Sequence, residues 1–195
     1  MTREAGRWTP APEALDAAVI VALGSNRPGD HPTCEDLLEA ALASFPQAGL
    51  PVLARSGWWS SAAWPDPRGK EYRNGVAIVE TVDPPHAVLE ALFAIERQFG
   101  RTRGLPNAPR TLDLDLIAHG RQVSAEPGLI LPHPRAAERL FVMGPLAEIA
   151  PEWRHPALGR TATELAASAT VGVDARPTPS PSSSGHPQAD PGDPS

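Results

Sequence analysis

Apolar and polar residues alternate most strictly over 109–117, with the two-residue period of a β-strand. Leu112, Leu114 and Leu116 fall on one face of that strand, and Thr111, Asp113 and Asp115 on the other. An unbroken apolar run over 19–23 predicts a buried strand, ended by Gly24-Ser25-Asn26. Further strands are predicted over 52–59, 72–81 and 129–131, with Asn74, Val76 and Ile78 sharing one face. Two amphipathic helices stand out. Leu38, Leu42 and Phe45 mark the stripe of the first, whose first turn suits Pro32. Val88, Leu92, Ile95 and Phe99 mark the second, which Asp83 is expected to cap and Gly100 to stop. Shorter helical turns are expected at 135–140, 146–149 and 163–169. His119-Gly120-Arg121 is expected to turn the aspartate strand back toward Val123.

Strands and helices therefore alternate irregularly, with hairpin-like connections. That pattern favours an α+β sandwich, a mostly antiparallel sheet with helices packed on it, over a doubly wound parallel sheet. With 195 residues, one domain over 17–170 is expected. Residues 1–16 read as an extension. The Pro-, Ser- and Gly-rich stretch 171–195, with few apolar residues and no periodicity, reads as a disordered tail.

Composition narrows the function. A hydrophobic content of 41% and a charged content of 21% suit a packed core. The net charge of −6 argues against a polyanion partner. Cys34 is the single cysteine, which excludes an internal disulfide framework and a multi-cysteine zinc site. No apolar run reaches membrane-spanning length and no signal peptide opens the chain, so a cytoplasmic protein with neither a membrane nor a nucleic-acid partner is expected. The P-loop, H-E-x-x-H and G-x-S-x-G motifs are absent.

The candidate chemistry gathers on the alternating strand. Asp113 and Asp115 lie about 6.6 Å apart at Cα, side by side, a spacing that suits hard cations sharing a phosphate ligand. Arg110 stands just before them. His133, Arg135 and Arg139 form a second basic group, with the two arginines on one face if the segment is helical. Carboxylates and basic groups together make a clamp for a polyphosphate. Tyr72 and Phe141 are either core residues or a pair that holds a flat ring. Glu96 falls inside the apolar arc of its helix and requires a partner: Arg101 or Arg103 on the structural reading, a ligand donor on the functional one.

Taken in order, Leu23-Gly24-Ser25-Asn26, Tyr72-Arg73-Asn74, Glu96 with Gly100-Arg101-Thr102-Arg103, Pro109-Arg110-Thr111-Leu112-Asp113-Leu114-Asp115, and Leu131-Pro132-His133-Pro134 with Glu138-Arg139-Leu140-Phe141 resemble the 6-hydroxymethyl-7,8-dihydropterin pyrophosphokinases of folate biosynthesis, from about Val19 to Pro156. The resemblance implies a ferredoxin-like fold and transfer of pyrophosphate from ATP to the pterin hydroxymethyl group, releasing AMP. It implies that Asp113 and Asp115 bind two Mg²⁺ ions. Arg101, Arg110, His133 and Arg139 match positions near the ATP phosphates, and Glu96 one in the nucleotide-binding region. Arg101 and Arg110 join the two aspartates as the expected catalytic set. Asn74 matches the pterin-reading asparagine, and Tyr72 and Phe141 the rings on either side of the pterin. Ser61 and the loop through Trp64 match the segment at the pterin edge. No protein nucleophile is required, and Asp115 is the candidate base. A monomer is expected. The 104–108 loop is short and lacks the tryptophan and basic residue frequent there in the family, so Trp64 is the expected substitute for its lid contacts. Two other classes compete: a non-enzymatic nucleotide- or RNA-binding module, disfavoured by the acidic strand and acidic chain, and a nucleotidyl or glycosyl transferase built on the Asp-x-Asp pair.

Overall fold

The strand over 19–23 is at the centre of the sheet because both of its faces are apolar. A computed structural model describes residues 10–63, 68–101 and 111–179. In it β1 (Val19–Ser25) is buried along almost its whole length. β4 (Tyr72–Val79) and β5 (Asp113–His119) flank it, both antiparallel. The sheet continues from β4 through β3 (Trp59–Ser61) to β8 (Arg176–Pro177), and β2 (Val52–Arg55) pairs with the other half of β4.

Helices cover both faces. α2 (Cys34–Ser44) and α3 (Pro85–Gln98) pack Leu38, Leu42, Val88 and Leu92 against Val21 and Leu114. On the opposite face α4 (Leu140–Ile149) and α5 (Ala162–Ala167) pack Met143, Leu146 and Leu165 against Ile20, Ile78 and Trp153. Alternation along β1 feeds the two cores: Val19, Val21 and Leu23 enter one, Ile20 and Ala22 the other. The result is a three-layer α+β sandwich.

Several local expectations change. The 52–59 strand is divided in two, because Ser56 Oγ accepts the Val76 N–H at 3.0 Å and Gly57 N–H donates to Glu148, taking both residues out of the regular ladder. α2 starts one residue after Thr33, which forms a capping box with Asp36, so Pro32 lies outside the helix. Asp83 does not cap α3. Pro84 occupies that position, and the Asp83 N–H instead donates to Thr81 Oγ1. The turn at 119–121 does not fold the chain back onto β5. β6 (Ser124–Glu126) pairs with β7 (Leu129–Leu131) in a separate ribbon. The turns expected at 135–140 and 146–149 become a 3-10 turn, Ala136–Glu138, and one continuous α4.

Both ends also differ from expectation. Within the extension, α1 (Pro12–Asp16) is a short helix with no buried residue. The expected disordered tail does not begin at 171: Val171 bridges Arg139, Ala175 is buried, and β8 closes the sheet against β3. Backbone pairing holds this stretch, so its low hydrophobicity was no guide.

Candidate active site

Register brings the chemistry together. β1 places Gly24 directly between Asp113 on β5 and Asn74 on β4. A Cβ at Gly24 would stand 3.6 Å from Asn74 Oδ1 and 4.0 Å from Asp113 Cβ, so the missing side chain is what leaves room between the two. Above this floor opens a cavity of about 350 Å³. Asp113, Asp115, His133, Arg139, Tyr72 and Phe141 all line it.

Among the described residues Glu96 is partnered by Arg101, and Arg103 lies outside them. Glu96 is 2% exposed, on the inner face of α3. Its Oε1 accepts the Leu114 N–H at 2.8 Å and binds Arg101 Nη1. Burial pushes the Glu96 carboxyl up, and the Leu114 N–H and the Arg101 charge oppose that push. The same Arg101 nitrogen contacts Asp113 Oδ1 at 2.6 Å. One guanidinium thus links α3 to the acidic strand.

Burial raises the Asp115 carboxyl above the usual range, and the neighbouring Asp113 charge raises it further. Burial lowers His133, against the pull of Asp115, and lowers Arg139. His133 is fixed by its N–H to Ile117 carbonyl at 2.8 Å, while its Nδ1 accepts the Arg135 N–H. The Asp115 carboxylate, beside Asp113 on the same strand, fits a hard divalent cation. Among the described residues no cluster of three or more His, Cys, Asp or Glu could hold a metal ion. Two carboxylate oxygen donors suit a hard cation such as Mg²⁺, which takes its other ligands from water and phosphate oxygens.

Arg135 and Arg139 do not share a helical face. Arg135 precedes the 3-10 turn and pairs with Glu138 at 3.1 Å. Arg139 is extended, at the N-cap of α4, with its guanidinium 5.7 Å from the Phe141 ring centre. Asn74 Nδ2 donates to Ser61 Oγ at 3.0 Å, both residues being buried. Trp64 and Arg110 lie outside the described residues.

Glu96, Arg101, Asp113, Asp115, His133, Arg139, Ser61, Asn74, Tyr72 and Phe141 thus converge on one region. Sequence reasoning missed Ala62 on the cavity wall and Asp174, whose carboxylate accepts the Ala62 N–H. Neither residue carries a motif; only β8 pairing brings them together.

The family model of 7,8-dihydro-6-hydroxymethylpterin-pyrophosphokinase (HPPK) matches residues 20–151. The 2-amino-4-hydroxy-6-hydroxymethyldihydropteridine pyrophosphokinase of Synechocystis sp. is 39% identical over 146 residues, 75% of this chain and 73% of the relative. Its namesake from Pseudomonas aeruginosa is 40% identical over 156 residues, 76% of this chain and 90% of the relative. A crystal structure of Plasmodium falciparum HPPK-DHPS with pteroate matches with a TM-score of 0.59 at 12% identity, over 77% of this chain. That likeness concerns the fold alone, and the chain spans 44% of the longer solved one. The site's acidic strand, its basic rim and its paired rings thus occur in a chain that belongs to the HPPK family.

Proposed function

We propose that the protein transfers the pyrophosphoryl group of ATP to the hydroxymethyl oxygen of 6-hydroxymethyl-7,8-dihydropterin, a step of folate biosynthesis. The hydroxymethyl oxygen attacks the β-phosphorus and loses its proton. The bond from the β-phosphorus to the α–β bridging oxygen breaks, and AMP leaves with that oxygen. The observation that carries this reading is that Asp113, Asp115, Tyr72 and Phe141 all line one cavity.

Each residue then has a role. Tyr72 and Phe141 sandwich the pterin, because a flat heterocycle gains both area burial and ring contact between two aromatic faces. Ser61 fixes the Asn74 amide by accepting from Nδ2, which turns Oδ1 toward Gly24 as an acceptor for the pterin edge. Asp113 and Asp115 would hold two Mg²⁺ ions. When bound, these ions neutralise phosphate charge and lower the pKa of the attacking hydroxyl. Arg101, oriented by Glu96, together with His133 and Arg139 faces the phosphates, where charge builds as the β-phosphorus is attacked. Asp115, on the cavity wall, is the candidate acceptor of the hydroxyl proton. The roles of Arg110 and Trp64 rest on the sequence resemblance.

A second concavity of about 300 Å³ shares Asp115 and His133 with the first and is lined by Leu89, Leu116, Leu129 and Ile130. Its apolar walls beside the basic rim suit the adenine ring of ATP. The same reading takes the enzyme as a monomer in the cytoplasm acting on small soluble substrates. No helix among the described residues is long and apolar enough to cross a membrane.

Product analysis tests the reaction. ATP, Mg²⁺ and the hydroxymethyl-dihydropterin should yield AMP and no ADP, at a rate that depends on the pterin. ADP release, or AMP release that ignores the pterin, would refute it.

A further inference from the structure

Residues 171–178 run from the N-terminus of α4 to the outer edge of β3, and they touch both walls of the pterin cavity. On the α4 side, the Thr170 and Val171 N–H groups donate to the Glu138 carbonyl at 3.0 and 2.9 Å. The Leu140 N–H donates to the Val171 carbonyl at 2.9 Å. Gly172, at φ +65°, lies against the Phe141 ring so closely that an added Cβ would overlap it. On the β3 side, Arg176 pairs with Ser60 and Pro177 with Trp59, and the Thr178 N–H donates to the Trp58 carbonyl at 2.8 Å. Between these anchors, Asp174 Oδ2 accepts the Ala62 N–H at 2.5 Å. Ser61 and Ala62 line the same cavity as Phe141, and Ser61 also holds Asn74.

The Asp174 bond has little structural work of its own to do. Asp174 is exposed, and β3 is already paired with β4 on its other side. What the bond fixes is the backbone immediately beyond the end of β3, where ladder pairing stops. A carboxylate accepting a backbone N–H is among the stronger neutral-donor bonds. It orders in advance a strip of chain that a ligand would otherwise have to order on binding.

We propose that Asp174 is a positioning residue for the pterin subsite, and that the 171–178 strap sets the separation between the Ser61–Ala62 edge and Phe141. The proposal rests on the pterin reading above. The strap bridges Arg139 through Val171 at its α4 end, whereas the Asp174 bond lies at its β3 end beside Ser61 and Ala62, so loss of that bond acts on the pterin side of the cavity.

Full-length Asp174→Ala and Asp174→Asn proteins test this, with pterin affinity read directly by fluorescence titration and the steady-state constants read from AMP release. Asp174→Ala should weaken pterin binding and raise its KM roughly tenfold, because the ligand must then order the Ser61–Ala62 edge as it binds. The KM for ATP, kcat and Tm should stay near the unsubstituted values. Asp174→Asn keeps an oxygen acceptor and should recover most of the loss. Gly172→Ala should weaken pterin binding in the same direction by displacing Phe141. Unchanged pterin affinity in Asp174→Ala, no recovery in Asp174→Asn, or a parallel rise in both KM values would overturn the strap's role while leaving the reaction in place. Failure of the unsubstituted protein to bind the pterin at all would overturn both.

Discussion

Asp115 carries the sharpest expectation at the scale of single residues. Asp115→Ala should lower kcat by about 10²–10³, a loss typical of removing one electrostatic stabiliser, while the pterin dissociation constant moves only a few-fold. A stopped assay set beside a fluorescence titration separates the two. Glu96 works through Arg101. Glu96→Gln removes the charge that orients the guanidinium and should cost about 1.5–3 kcal/mol in urea unfolding. The ATP KM should rise with it. His155 governs acid stability away from the cavity. Its Nδ1 accepts the Ala157 and Leu158 N–H groups, and burial, then the Arg121 charge, lowers its pKa. The unfolded state therefore takes up a proton near the ordinary value of about 6.5 while the folded state does not. Stability should fall as pH drops from about 6.5 toward the lowered folded pKa, and denaturation of His155→Asn across pH 5–7 should show a flatter profile.

Secondary-structure elements are held by local signals and by close approaches. Two capping boxes, Thr33 with Asp36 and Thr161 with Glu164, start α2 and α5. Thr33→Ala should lower stability by about 1 kcal/mol, measured as a shift in the urea midpoint at constant slope. Both boxes were legible as Thr-x-x-acid before an apolar run, yet the proline before the first drew the reading one step early. The strand lengths were less legible. Nothing local marks the break between β2 and β3, because it depends on Ser56 meeting Val76 and Gly57 meeting Glu148. A stripe of glycine contacts has the same character. At Gly144 an added Cβ would collide with the Trp59 indole, which anchors α4 against β3. Overpacking of this kind typically costs about 1–3 kcal/mol, so Gly144→Ala should be destabilising and should disturb Phe141 on the same helix.

The whole molecule consists of two cores on either side of one sheet, and the acidic pair projects from the sheet's cavity end into neither. Chelation with EDTA should therefore abolish AMP release while leaving the thermal unfolding midpoint of the ligand-free protein unchanged. Mg²⁺ with a non-hydrolysable ATP analogue should raise that midpoint, since a ligand that binds only the folded state stabilises it by mass action. A midpoint that falls on chelation alone would place a structural metal in the fold.

Sequence alone determined what depends on near neighbours. Period two over 109–117 set the leucines inward and put Thr111, Asp113 and Asp115 on the opposite face. Period 3.6 after Asp83 put Glu96 in an apolar arc, where a carboxylate needs a partner. The order of the motifs was enough to suggest the family. Tertiary structure decided what depends on pairing across long stretches of chain. It set Gly24 between Asn74 and Asp113 by register. It also drew 171–179 out of an expected tail and onto β3. The physical reason is common to both. Burial leaves its periodic mark within each segment, whereas backbone pairing between distant segments uses groups that every residue carries and so leaves no mark in composition.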